Sequence, residues 1–60
     1  MKTEREQLIE AAERAYYREQ CRQMSREQLN EIICTSVGVP IGTPFTREQL
    51  KMIRDSPGQL

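Results

Sequence analysis

The sequence predicts an all-α fold, a small three-helix domain with a long first helix and an ordered Pro/Gly-rich loop between helices two and three. Three observations carry this. The tetrapeptide Arg-Glu-Gln-Leu recurs at Arg5–Leu8, Arg26–Leu29 and Arg47–Leu50, at the same 21-residue offset. The apolar residues that follow each copy recur at helical spacing. Gly38, Pro40, Gly42 and Pro44 crowd one short stretch, whereas residues 4–37 contain neither Gly nor Pro. An offset of three heptads also suits one continuous coiled coil, but those four residues cannot all lie inside a helix.

The repeats read as helix starts. Ser25 and Thr46 are N-cap residues, and Gln28 and Gln49 stand three places on, where a capping box closes. Glu27 and Glu48 fall in the first turn, which the helix dipole favours. Met24 and Phe45 precede the caps and are placed to act as hydrophobic staples on Leu29 and Leu50. The first copy is imperfect: Thr3 with Glu6 gives a box shifted by one residue. The residues after the copies share almost nothing, so the repeat marks helix N-termini rather than three equivalent units.

Helix one is expected from about 4 to 20. Its Leu8, Ile9, Ala11, Ala12, Ala15 and Tyr16 fall on one face, and the small alanines invite close approach by another helix. Tyr17, Cys21 and Met24 fall on the opposite side and form the expected partner-binding surface. A polar seam at Arg18, Arg22 and Ser25 argues against one long helix and places a short turn near Arg22 to Ser25. Helix two, about 26 to 36, carries the stripe Leu29, Ile32, Ile33 and Val37, with Gly38 at its end. Glu27, Asn30 and Glu31 lie on its outer side. Val39, Ile41 and Phe45 in the following loop are expected to close the core. Helix three, about 47 to 55, contributes Leu50, Met52 and Ile53 and stops at Ser56-Pro57-Gly58. The final residues are expected to be loose.

Sixty residues make a single domain over 1–60, and a chain of this size buries only about 60% of its unfolded surface, a thin margin that self-association would widen. Nine basic and nine acidic residues balance, so no global field draws the protein to nucleic acid or to an anionic membrane. No run approaches the roughly 20 apolar residues of a membrane span, and Met1 to Glu6 lacks the apolar run of a signal peptide, so the expected location is cytoplasmic. Cys21 and Cys34 are read as reduced thiols. Two thiols without any His do not complete a zinc site in one chain, so no metal and no cofactor is expected.

Arg14, Arg18, Arg22 and Arg26 recur every fourth residue and mark a strip for an acidic partner or nucleic acid, although Glu10 stands where it would pair with Arg14. A helix-turn-helix DNA-binding regulator using helix two is the alternative function; Arg26, Gln28 and Asn30 would read bases, but Glu27 and Glu31 would repel phosphates. The six residues Phe45 to Leu50 resemble the opening of a homeodomain's first helix. Too little chain follows for its other two helices, so no family is assigned. Without His, a Gly-rich phosphate loop or a distinctive carboxylate pair, no catalytic residues are expected; Arg18 or Arg22 beside Cys21 is the sole hint of an activated thiol. The expected function is a non-catalytic protein–protein interaction or regulatory module, a small accessory protein that self-associates as a homodimer through the alanine face or the Tyr17/Cys21/Met24 surface.

Overall fold

The computed structural model describes residues 1–56; Pro57 and Gly58, read above as part of the final stop, and the tail expected to be loose lie outside the described residues. The described residues are all-helical, with four helices in place of the expected three: α1 (Glu4–Ala15), α2 (Arg18–Arg22), α3 (Arg26–Val37) and α4 (Arg47–Asp55).

Three of these begin as the sequence dictates. Thr3 Oγ1 accepts from the Glu6 N–H at 3.1 Å. Ser25 Oγ accepts from the Gln28 N–H at 3.3 Å while Gln28 Oε1 takes the Ser25 N–H at 3.0 Å. Thr46 and Gln49 repeat that exchange at 3.1 and 2.9 Å. Each complete box satisfies two amides that a helix N-terminus otherwise leaves to water. Gly38 ends α3 at φ 79°, the left-handed conformation that favours glycine, and its N–H donates to the Cys34 carbonyl at 2.9 Å.

The helix expected from 4 to 20 is broken. Tyr16 and Tyr17 are both extended, at φ −151° and −73°, and α2 restarts at Arg18. Neither residue is a helix breaker, so the cause is tertiary. A continuous helix would hold Cys21 and Met24 opposite the Leu8/Ala11/Ala12 face. Breaking it turns α2, so that Cys21 is fully buried and Met24 packs half-buried on the core. Aromatic residues have modest helix propensity, which makes this junction an inexpensive place to break.

Helix α1 is the centre of the fold and contacts α2, α3 and α4. Of the alanine face expected to join two chains, Ala11 and Ala12 have no exposed surface and are covered by the chain's own helices, while Ala15 stays half-buried. Leu8, Leu29, Ile33, Leu50 and Ile53 complete the core, with Ile9, Ile32, Val37 and Phe45 packed at its edge. Met52, expected inside, is exposed.

The segment between α3 and α4 is fixed by polar contacts. The Thr43 N–H donates to the Pro40 carbonyl at 3.2 Å, closing a turn over Pro40–Ile41–Gly42–Thr43 in which Gly42 has φ 93°. Positive φ at the third residue is what glycine supplies most readily. Phe45 turns inward, whereas Ile41 sits at the turn's corner and remains 66% exposed instead of closing the core.

Candidate protein-contact face

The face around Ile41 is both concave and apolar. Ile41 stands between two depressions. One, about 400 Å³, runs along α3 and the start of α1; Leu8, Ile41, Pro44 and Phe45 form its apolar part, with Glu27 and Glu31 on the α3 side. The other, also about 400 Å³, lies over Ala15, Tyr16, Ile32 and Ile41. Glu31 and Ile41 line both, so the two adjoin. Tyr16, at 44% exposure, forms the far wall, and its ring meets that of Tyr17 edge-on at 5.7 Å.

The position of Ile41 depends on Asn30. Asn30 Nδ2 donates to the Thr43 carbonyl at 3.2 Å and lies 3.7 Å from Cys34 Sγ. The side chain expected on the outer surface, free to read bases, is therefore half-buried and holds the turn against α3. The turn itself had a readable signal in Pro40-Ile41-Gly42-Thr43, where Gly at the third place announces a corner at the second.

The expected partner surface does not assemble. Tyr17 is 74% exposed, but Cys21 is buried and Met24 half-buried, so the three share no surface. Burial pushes the Cys21 thiol above its ordinary pKa, and the nearby Glu13 charge adds to the shift. Both effects disfavour the thiolate, so the suggested activation by Arg18 or Arg22 is not realised.

The arginine strip is divided among three helices. Arg14 belongs to α1, Arg18 and Arg22 to α2, and Arg26 to α3. Arg18 Nε lies 3.5 Å from Glu13, and Arg26 pairs with Glu4. Arg14 and Arg22 are exposed and make no ion pair among the described residues. Glu10 bonds Lys2 and Arg54, the latter at 3.0 Å, rather than Arg14. Hydrogen bonds from Lys2 and Arg54 hold its carboxyl below the ordinary value. This joins the N-terminal residues and α1 to α4. The same end of the molecule gathers Lys2, Arg47, Lys51 and Arg54 around a shallow depression, where Glu10 and Glu48 offset two of the four charges.

Among the described residues, no group of three or more His, Cys, Asp or Glu is placed to hold a metal ion, and no helix is long and apolar enough to cross a membrane. No family model, curated protein or solved structure matches the chain. The face around Ile41 must therefore be interpreted from its own chemistry.

Proposed function

We propose that this chain is a small non-catalytic protein-binding module, an accessory or regulatory component that acts through the face formed by Tyr16, Ile32 and Ile41. The observation that carries the reading is the 66% exposure of Ile41 between two adjoining depressions. An isoleucine at a turn corner gives nothing to the folded chain's own core, yet burying its side chain against a partner is worth about 1.5–3 kcal/mol. Apolar surface concentrated at a concave face marks a site of association more often than chance exposure does. The high thiol pKa of Cys21 agrees with a module that does no covalent chemistry, and two free thiols suit a reducing compartment such as the cytoplasm.

The helix-turn-helix alternative has lost part of its basis. Asn30 is engaged with Thr43, while Glu27 and Glu31 stay on the exposed side of α3 and would meet phosphate oxygens. The test is photocrosslinking from a probe at position 41 in source cells, compared with a probe at Lys51. Discrete protein adducts from position 41 alone, abolished by Tyr16→Glu, are expected. Equal labelling from both positions, or none from 41, overturns the reading.

A further inference from the structure

We infer that the occupant of the Ile41 face is a second copy of this chain, each copy seating its Tyr17 against the apolar groove of the other while Arg18 and Arg22 meet Glu27 and Glu31. The inference rests on the protein-contact reading above and names the partner.

Both halves of such a contact are present in one molecule. The groove offers an apolar floor at Ile41, Pro44 and Phe45. Glu27 and Glu31 on its rim have no ion-pair partner among the described residues. The projection is Tyr17, 74% exposed and held outward by the extended junction between α1 and α2. It adjoins the exposed Arg18 and Arg22; Arg22 has no ion-pair partner among the described residues, and Arg18 exchanges Glu13, 3.5 Å away, for the new contact. A tyrosine supplies a large contact area at low conformational cost, and its hydroxyl tolerates a wet rim.

The charges also match in spacing. Arg18 and Arg22 are one helical turn apart on α2, and Glu27 and Glu31 one turn apart on α3. Each pair therefore presents its charges about 5–6 Å apart at the Cβ atoms. Projection and groove are neighbours on one face: Tyr17 touches Tyr16, Tyr16 lines the second depression, and Ile41 and Glu31 border both depressions. A two-fold contact requires that adjacency: the patch on each copy must contain both the donor feature and its acceptor. A formal net charge of zero opposes no approach of like copies.

Sedimentation equilibrium on the intact chain, from about 10 μM to about 1 mM, is expected to give a mass rising toward twice 7.0 kDa. Ile41→Glu and Tyr17→Glu should each weaken association by about tenfold or more, with circular dichroism verifying that both remain helical. The decisive arm uses two charge-reversed chains, Arg18→Glu/Arg22→Glu and Glu27→Arg/Glu31→Arg. Each alone should be monomeric, whereas an equimolar mixture should form a heterodimer, since both contacts of the pair then join opposite charges. A mixture that stays monomeric, or a dimer indifferent to Ile41→Glu, overturns the inference. A wild-type monomer at about 1 mM overturns it too; if position 41 still crosslinks to other proteins, the protein-contact reading survives that result, and if it does not, both fall.

Discussion

Asn30 Nδ2 donates to the Thr43 carbonyl at 3.2 Å, across 13 residues of chain, and so holds the turn that presents Ile41 against α3. The same side chain lies 3.7 Å from Cys34 Sγ, which is itself 3.9 Å from the Thr43 oxygen. Backbone bonds from Gly38 and Val39 to the Cys34 carbonyl start the segment, and the Thr43–Pro40 bond closes its turn. Of these contacts, the Asn30 bond is the shorter of the two that tie the far side of the turn back to α3, the other being the Cys34 Sγ contact. Its removal therefore tests position as well as stability.

Asn30→Ala should cost about 1 kcal/mol, the usual net value of one hydrogen bond. Urea denaturation measures that loss. Amide exchange at Thr43 should accelerate more than exchange in α1, because the bond secures the turn rather than the core. Uniform acceleration across the chain would show that Asn30 supports the whole fold instead.

Ala11→Leu and Ala12→Leu should each destabilise the protein by about 1–3 kcal/mol or prevent folding, because both alanines are fully buried in the helix that packs against α3 and α4. Ala15→Leu, at a half-buried position near the end of α1, should cost less. Thermal unfolding of the three variants orders them. An equal effect at all three would contradict α1 as the closely packed centre.

Cys21 should resist alkylation at neutral pH at a rate set by opening of the fold. Its side chain is fully buried, and burial together with Glu13 holds the thiol in its protonated form. Labelling should approach the rate of an unhindered thiol only in denaturant. Cys21→Ala should leave a small void at the α1–α2 contact and cost about 1 kcal/mol, whereas rapid labelling of native protein would place the sulfur at the surface.

The helix starts were legible because their causes are local: Thr3, Ser25 and Thr46 act on amides three residues away, within reach of any reading of spacing. Leu8, Leu29, Ile33, Leu50 and Ile53 were legible as core for the same reason, each following a start at helical intervals. The break at Tyr16–Tyr17 was not, since no residue there forbids helix; the gain comes from Cys21 and Met24, which reach the core only after α2 turns. That error carried outward. It placed Cys21 and Met24 on a partner surface and strung four arginines along a helix that does not continue. Asn30 was misplaced for a related reason: it shares an arc with Glu27 and Glu31, and only the return of the loop over that arc makes it interior. Ile41 was misplaced as well, as a residue closing the core, although the Gly42 turn that exposes it was written in the sequence.

Glu10 supplies the pH-dependent link between α1 and α4. Its carboxyl is held below the ordinary value of 4.5, first by the hydrogen bond from Lys2 and then by that from Arg54. A carboxylate whose folded-state pKa is depressed stabilises the fold above its unfolded value, and that contribution disappears as pH falls through the folded value. Glu10→Gln should therefore be less stable than the parent by a constant amount near neutrality. The difference should shrink below about pH 4.5 and vanish once Glu10 of the parent is protonated in the folded state. Both partners are partly solvated, so added salt should reduce the neutral-pH difference as well. Denaturation curves of the two proteins across this range, at low and high salt, check both effects. A difference independent of pH and salt would assign Glu10 a packing role and remove the ion pair from the account of how α4 is held.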